Sequence, residues 1–322
     1  MSTATVRPAW GSLSPEVRAH VERELGAEVA RARSCGDGFS PGLASRLLLA
    51  DGRRVFLKGI HAAHPWAPRY ADEIAVTTAL PAGIGPRVWW TAAPEESGGW
   101  WWLCLEDVPG THPVLAPGAA GTERAVAAVE TALRRLTPSP VGGTRPAVRV
   151  VGPWLTGWSA LRTAPPAGLD PWARRRLDRL AAIERDWWPA SHGDTLLHWD
   201  LHTANMLHRP ADGRVADGSA GGEVVLVDWS YRLHGAAWID AAVLVPQLIL
   251  GGHTPAQAEQ ATARLPRPAD PAVLTGFAAG LAGLWTACSH RPPPAADPSL
   301  RAHHARTADA TLSWLRHRTG WS

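Results

Sequence analysis

Lysine is almost absent from this sequence. The 322 residues include a single lysine, Lys58, so arginine carries nearly all of the remaining positive charge. A lysine ammonium is a compact point charge, whereas an arginine guanidinium is a planar fork, and the two do different chemistry. The lone lysine therefore suggests a role that arginine cannot fill. The alternative is that one lysine survived by chance.

Cysteine is also scarce, and long apolar runs are missing. Cys35, Cys104 and Cys288 are odd in number and far apart, so neither a disulfide framework nor a metal motif is predicted. A reducing cytoplasm fits this usage best. Residues 1–12 lack the apolar core of a secretory signal, and runs such as Ala241–Val245 are too short to span a bilayer. We expect a cytoplasmic protein with no membrane partner.

The charge distribution does not indicate a nucleic-acid partner. The formal net charge is +3, from 32 basic and 29 acidic residues. The arginines are scattered, and no run of five or more basic residues occurs. We therefore expect no binding to nucleic acid.

Hydrophobic periodicity and turn residues divide the chain into a β-rich and a helical part. A helix is predicted over 68–80, among strands over 27–34, 43–50, 53–59, 87–91 and 100–105. After Gly110, helices are predicted over 122–136, 171–186, 236–250, 255–265, 271–286 and 300–316, with strands confined to 205–208 and 223–228. The sequence thus predicts an α+β protein with an N-terminal lobe, 1–107, and a C-terminal lobe, 108–322.

The densest cluster of polar side chains lies in residues 197–207, which read LHWDLHTANML. Twenty-three residues after Asn205, a buried-looking strand ends at Asp228. A carboxylate such as Asp200 can orient a hydroxyl and accept its proton. Asn205 and Asp228 offer the oxygen ligands that Mg²⁺ prefers. These groups, with a lysine for nucleotide phosphates, are what phosphoryl transfer needs.

The pattern His198-x-Asp200-x-x-x-x-Asn205, followed by Asp228, resembles the catalytic and metal loops of the aminoglycoside phosphotransferase family. This family belongs to the protein-kinase-like superfamily. The resemblance covers about residues 27–250 and implies a bilobal protein-kinase-like fold, with a β-rich N-lobe, one main helix in it, and a mostly helical C-lobe.

The resemblance implies transfer of the γ-phosphoryl group of ATP, or of GTP, to a small-molecule hydroxyl. Asp200 would be the catalytic base, and Asn205 and Asp228 the Mg²⁺ ligands. Lys58 would bind the nucleotide phosphates, and Glu73 on the next helix would hold the lysine, although the adjacent Asp72 is an alternative.

Two further nucleotide contacts are expected. The segment 103–110 resembles the interlobe hinge, where the backbones of Glu106 and Val108 can bond an adenine edge. The Gly-rich turn 36–42 lies where a phosphate-covering loop belongs, with Gly38 and Ser40 as donors. A plain hairpin turn is the alternative for this segment.

Three polar residues in or near the motif are not expected to act in catalysis. His198 and His202 have the i, i+4 spacing of metal ligands, but the resemblance places them in a loop, where His198 would act as a brace. Asp240 resembles an internal aspartate that anchors the catalytic loop.

The acceptor is left open by the sequence. From Thr111 onward there are 17 acidic residues and 21 arginines, so a polycationic acceptor is not favoured. An antibiotic, with a role in resistance, is one candidate class. Choline, homoserine or a sugar is another, and a choline site would need an aromatic cage, which the 18 tryptophans could supply.

A nucleotide-binding pseudokinase is a further alternative. Such a protein is expected to lack Lys58, Asp200, Asn205 or Asp228, and all four are present. The oligomeric state and the preference for ATP or GTP are not predicted.

Overall fold

The structure is a computed structural model that describes residues 7–35, 40–211, 222–293 and 299–321. The chain forms two compact units. The first contains Met1–His112 and Ala204–Arg232, and the second contains Pro113–Thr203 and Leu233–Ser322. The sequence places a boundary after residue 107 and assigns 204–232 to the C-terminal lobe, whereas this segment is part of the first unit.

The regular elements follow the chain in this order. The strands are β1 (Val29–Ser34), β2 (Leu43–Leu49), β3 (Arg54–His61), β4 (Val88–Ala92), β5 (Trp100–Glu106), β6 (Arg145–Pro146), β7 (Thr195–Leu197), β8 (Met206–Arg209), β9 (Glu223–Leu226) and β10 (Leu233–Gly235). The helices are α1 (Pro15–Leu25), α2 (Ala67–Ala79), α3 (Ala120–Arg135), α4 (Ala147–Val150), α5 (Gly157–Thr163), α6 (Pro171–Arg174), α7 (Leu177–Ile183), α8 (Trp238–Leu250), α9 (Pro255–Ala261), α10 (Pro271–Ser289) and α11 (Ser299–Thr319).

The first unit is organised by an antiparallel sheet. Its strand order in the described part of the chain is β1-β2-β3-β5-β4. The register sets Lys58 opposite Ala44 on one side and Leu103 on the other. Because side chains alternate along a strand, Leu57 and Lys58 point to opposite faces. Leu57 joins a core cluster with Leu43, Leu47 and Trp102, so Lys58 faces the other side of the sheet.

Local signals explain both helices of this unit. Ser14 caps α1 by accepting from Val17 N, Pro15 occupies its first position, and Gly26 ends it at φ 70°. On α2, Tyr70, Glu73 and Val76 are buried at a spacing of three residues, which puts them on one helix face.

The first unit also contains the β8–β9 hairpin. The two strands pair antiparallel from Met206 with Leu226 to Arg209 with Glu223. A backbone bridge joins Thr111 to His208 within the same unit. Val227 N donates to Asn205 O at 2.9 Å, so the pairing continues to the residue just before Asp228.

The second unit is mainly helical. Helices α10 and α11 pack side by side, and α5 lies against α10. A Cβ atom on Gly157 would lie 2.1 Å from Gly283 O, so these two helices approach closely at a pair of glycines. A small sheet of order β6-β10-β7 completes the described part of this unit.

Three expectations about the second unit have to be corrected. The helix predicted over 171–186 is broken into α6 and α7, because Arg176 leaves the helical region at φ −126° and ψ 14°. Strands are not confined to 205–208 and 223–228, since β6, β7 and β10 also form. Finally, α10 is long and apolar enough to cross a membrane, and 61% of its most apolar window is buried inside the protein. Such burial is typical of a core helix.

Candidate active site

Lys58 is the centre of a buried charge cluster in the first unit. Its Nζ donates to Glu73 Oε1 at 2.6 Å and to Asp228 Oδ1 at 3.1 Å. Lys58 is 6% exposed and Glu73 is 3% exposed. Asp72, the alternative partner, lies instead 4.0 Å from Arg232 Nη1. The structure thus joins the lysine to the helix carboxylate that the sequence predicts.

The electrostatics of this cluster favour a charged lysine. Burial by itself would lower the pKa of the Lys58 ammonium, but the carboxylates of Asp228 and Glu73 raise it above its usual value. Burial raises the pKa of the Glu73 carboxyl, and the Lys58 ammonium opposes that effect. One ammonium between two carboxylates is a fixed cation with strong local partners.

Asn205 and Asp228 lie together at the end of the β8–β9 hairpin. Asn205 is buried, and its carbonyl pairs with Val227, the neighbour of Asp228. Asp228 has φ 64°, a left-handed conformation that is uncommon outside glycine and is found at functional sites. One of its oxygens faces Lys58, and its side chain is 39% exposed.

The donor set at this hairpin fits Mg²⁺. A carboxylate and a carboxamide supply hard oxygen ligands, and Mg²⁺ is commonly held by one or two protein groups together with substrate phosphates. Among the described residues, no group of three or more His, Cys, Asp or Glu side chains is arranged to hold a metal ion. A metal at this hairpin would therefore be held by Asn205 and Asp228 rather than by a protein cage.

Asp200 lies in a braced loop of the second unit. Asp240 Oδ2 accepts from His198 N at 2.7 Å, and its Oδ1 accepts from Trp199 N at 2.9 Å. Asp200 N in turn donates to His198 Nδ1 at 3.3 Å. Trp199 is at φ 66°, an unusual conformation for a bulky residue, so the loop is held in a defined shape by its neighbours. His198 and Asp240 thus occupy the bracing positions that the sequence assigns to them.

Two histidines of the second unit, His202 and His303, interact electrostatically with Asp200. His202 Nε2 lies 3.7 Å from Asp200 Oδ1. Burial lowers the pKa of His303, and the charges of His202 and Arg306 lower it further, while Asp200 opposes them. His303 also lies edge-on to Trp285, with ring centroids 6.4 Å apart.

The predicted hinge residues are tied into the first unit. Glu106 N donates to Arg87 O at 2.7 Å, and Val108 N donates to Glu106 O at 3.0 Å. Asp107, which the sequence does not single out, is buried between the guanidinium groups of Arg46 and Arg54. An adenine contact through the Glu106 and Val108 backbones stays a prediction, and it would have to replace or share these hydrogen bonds.

The predicted phosphate loop, residues 36–42, is described only from Ser40 onward. Gly38 lies outside the described residues. The carbonyl and hydroxyl of Ser40 both accept hydrogen bonds from the Arg7 guanidinium, at 2.7 and 2.8 Å. Arg7 also donates to Cys35 O at 2.7 Å. Sequence reasoning misses Arg7, because no local pattern links it to residues some 30 positions away.

Tyr70 is a second residue near Lys58 that the sequence analysis misses. It is buried on the same face of α2 as Glu73, and Lys58 Nζ lies 6.0 Å from its ring centroid. Its spacing of three residues from Glu73 is the signal that could have identified it.

Comparison with known proteins identifies the family to which the chain is similar. A model of the phosphotransferase enzyme family matches residues 36–291. No curated protein matches the sequence significantly. The fold resembles that of an aminoglycoside phosphotransferase from Alicyclobacillus acidocaldarius at 16% identity and a TM-score of 0.59, covering 91% of this chain and 92% of that one.

Two other solved structures are similar. A choline kinase from Streptococcus pneumoniae has 12% identity and a TM-score of 0.59, over 92% of this chain and 98% of that one. A spectinomycin phosphotransferase in complex with ADP and spectinomycin has 10% identity and a TM-score of 0.55, over 90% of this chain and 89% of that one. These likenesses confirm the predicted kinase-like α+β fold. Because the family model covers most of its length, the chain belongs to the phosphotransferase enzyme family and is a small-molecule phosphotransferase.

Proposed function

We propose that this enzyme transfers the γ-phosphoryl group of ATP or GTP, with Mg²⁺, to a hydroxyl of a small molecule, with an antibiotic as the favoured acceptor class. The observation that carries the proposal is the buried contact of Lys58 with Glu73 and Asp228, at 2.6 and 3.1 Å. A lysine fixed by a helix carboxylate and a metal-binding aspartate is the arrangement that nucleotide phosphates require.

Each predicted residue has a role in this reaction. Lys58 binds phosphate oxygens, and Glu73 holds its ammonium in place. Asn205 and Asp228 would hold Mg²⁺, which would supply positive charge to the β- and γ-phosphates. Asp200 orients the acceptor hydroxyl and takes its proton as the acceptor oxygen bonds to the γ-phosphorus. The bond from that phosphorus to the β-phosphate oxygen breaks, and the nucleoside diphosphate leaves.

The charges in the second unit favour an uncharged or weakly charged acceptor. His202 lies beside Asp200, and Arg306 places a positive charge within range of His303, on which Asp200 also acts. A polycationic acceptor would be attracted by carboxylates and repelled by arginine. We therefore favour an uncharged sugar, nucleoside or peptide antibiotic over a polyamine-rich one, with resistance as the biological role.

A metabolic kinase is the second candidate. The similarity in fold to a choline kinase supports testing such acceptors, and choline is bound by aromatic side chains in general.

The described cysteines Cys35, Cys104 and Cys288 are free thiols, which supports a location in the reducing cytoplasm.

The test is an acceptor screen read by mass spectrometry. The purified protein and its Asp200→Asn variant are incubated with Mg-ATP or Mg-GTP and a library of hydroxylated antibiotics and metabolites. We expect one class of compound to gain a phosphoryl group with the wild type alone. A product formed equally by Asp200→Asn would contradict the assignment of the base. Phosphorylation of choline, homoserine or a sugar but no antibiotic would select the metabolic alternative.

A further inference from the structure

Arg209 joins the predicted hinge to the hairpin that carries the candidate metal ligands. From β8 it donates to Glu106 Oε1 at 2.8 Å and to Glu223 Oε1 at 3.2 Å. Glu223 is the cross-strand partner of Arg209 in the β8–β9 pair, so that contact stays inside the hairpin. The contact with Glu106 leaves the hairpin and reaches the end of β5, 103 residues away in the sequence.

The Glu106 carboxylate is held by groups on two different strands. While Oε1 accepts from Arg209, Oε2 accepts from Arg87 N at 3.3 Å, just before β4. The side chains of Arg209 and Glu106 are 28% and 29% exposed, so their contact is partly shielded from solvent. A guanidinium that bonds two carboxylates through two different nitrogens fixes direction as well as distance. The contact can therefore set the position of β8 relative to the hinge.

Two further contacts among the described residues join the chain after the hinge to β8. His208 N donates to Thr111 O at 2.8 Å. His112 Nδ1 lies 3.0 Å from Met206 O, and because a carbonyl only accepts, the imidazole donates through Nδ1. Gly110 permits this close approach, since a Cβ atom there would lie 2.2 Å from His208 O. The chain after the hinge thus runs along β8 in contact with its backbone.

The position of β8 determines where the candidate metal ligands lie. Asn205 directly precedes the strand, and its carbonyl accepts from Val227 N, next to Asp228. Met206, which accepts from His112, is the neighbour of Asn205. A displacement of β8 would therefore move both oxygen ligands together. In a nucleotide, the ribose limits the distance between base and phosphates, so a hinge and a hairpin that bind one molecule must keep a matching separation.

We propose that Arg209 is a positioning residue for the nucleotide, which acts through Glu106 to fix the separation between the hinge, where the base binds, and the β8–β9 hairpin, where the Mg²⁺-bound phosphates bind. His112 supports the same separation through Met206. The inference rests on the proposed function, since it takes the base to the hinge and the metal to the hairpin. Two groups linked in one ligand gain affinity only when both bind at once, so this separation contributes affinity that neither part of the site provides alone.

The test uses three ligands that divide the nucleotide into its parts. Calorimetry gives Kd for the Mg²⁺ complex of AMP-PNP, a non-hydrolysable nucleotide, for adenosine, which has no phosphate, and for Mg²⁺ tripolyphosphate, which has no base. We expect Arg209→Gln to weaken AMP-PNP binding about fivefold, the lower end of the usual coupling between two sites. The Kd values of adenosine and tripolyphosphate should not change, because each part of the site keeps its own binding groups. His112→Ala should act in the same direction.

Two more variants separate the contact between Arg209 and Glu106 from the general loss of an arginine. Arg53→Gln removes a guanidinium that bonds Asp51 and Leu25 O near the β2–β3 turn, and it should leave all three Kd values unchanged. Glu106→Ala should reproduce the AMP-PNP effect of Arg209→Gln. The double variant should lose little more affinity than either single variant, since both substitutions remove one contact.

Three results would overturn the inference. Unchanged AMP-PNP affinity in Arg209→Gln would show that the contact does not position the nucleotide. Weaker binding of one fragment together with AMP-PNP would show that Arg209 acts on that part of the site alone. Equal weakening of all three ligands with a lower Tm would show a purely structural role. If the wild type bound none of the three ligands, the proposed function would fail together with the inference, whereas normal wild-type binding with an unaffected variant would remove the inference alone.

Discussion

The Lys58 ammonium donates a hydrogen bond to Glu73 Oε1 at 2.6 Å. Lys58 lies on β3 and Glu73 on α2, and both side chains are buried. The only lysine of the sequence is therefore placed against two carboxylates, Glu73 and Asp228, that hold it in one position. This arrangement accounts for a lysine rather than an arginine at this position. The planar guanidinium of an arginine would need more space and a different set of hydrogen-bond acceptors.

Two substitutions of Lys58 should differ in their effects on catalysis and on stability. We expect Lys58→Arg to lower kcat/KM by about 100-fold, the scale of losing one positioned electrostatic contact. Lys58→Met should also lower the free energy of unfolding by about 3 kcal/mol, because it leaves the buried Glu73 carboxylate unpaired. Urea unfolding and steady-state kinetics measure the two effects.

The double variant Lys58→Met with Glu73→Gln provides the control. It should recover part of the lost stability and none of the activity, since the unpaired charge is gone but no cation is present. Recovery of activity in the double variant would contradict the phosphate-binding role of Lys58.

Asp240 should affect stability and kcat because it holds the loop that carries Asp200. In Asp240→Asn, one carboxylate oxygen is replaced by an amide NH₂ that faces the backbone N–H of His198 or Trp199. We expect a loss of about 1–3 kcal/mol in the free energy of unfolding, as for a buried donor left unpaired. The variant should lower kcat more than it raises KM for the nucleotide. A variant with wild-type kcat would show that the brace is not needed to hold Asp200.

Gly59 should be intolerant of a side chain. A Cβ atom there would lie 2.1 Å from Trp102 Cζ3, and the indole is fixed in the core. We expect Gly59→Ala to cost about 1–3 kcal/mol of stability by overpacking. Gly11→Ala is the control, because a Cβ atom at Gly11 meets no atom within 4 Å. Equal stability of the two variants in urea would contradict the close packing of β3 on Trp102.

His303 should make stability depend on pH. Its pKa lies below the ordinary value because of burial and the charges of His202 and Arg306, with Asp200 opposing. The unfolded chain therefore takes up a proton at higher pH than the folded one does, and stability present above about pH 6.5 is lost as the pH falls through the folded-state pKa.

A pH series of unfolding experiments measures this effect. His303→Gln should show a shallower loss of unfolding free energy between pH 7 and 5 than the wild type. His317→Gln, which replaces an exposed histidine on the same helix, should follow the wild type. Identical pH profiles for wild type and His303→Gln would contradict the assignment.

Local sequence signals sufficed for much of the fold and for the residues of the charge cluster. The strand that carries Lys58 and the helix that carries Glu73 have clear periodic patterns, and the predicted pair is in contact. Residues that meet only through the tertiary fold were not predictable in this way. Arg7 reaches Ser40 across 33 residues, and Tyr70 fits the space above Gly42 through packing that leaves no mark on a single segment.

The small sheet of the second unit was missed for a similar reason. Its strands β6, β7 and β10 are two or three residues long and come from distant parts of the chain, so none is long enough to show an alternating pattern. The break between α6 and α7 depends on the backbone of Arg176, whose neighbours are all good helix formers.

The most direct test of the central claim compares turnover with binding in Asp200→Asn. With an acceptor identified, nucleoside diphosphate release and phosphorylated product are measured for both proteins at saturating Mg-nucleotide, and nucleotide Kd is measured in parallel. The account predicts that the variant loses product formation by at least about 100-fold, within the range that a general base contributes, and binds nucleotide with nearly wild-type affinity. Product formation at the wild-type rate in Asp200→Asn would contradict the account.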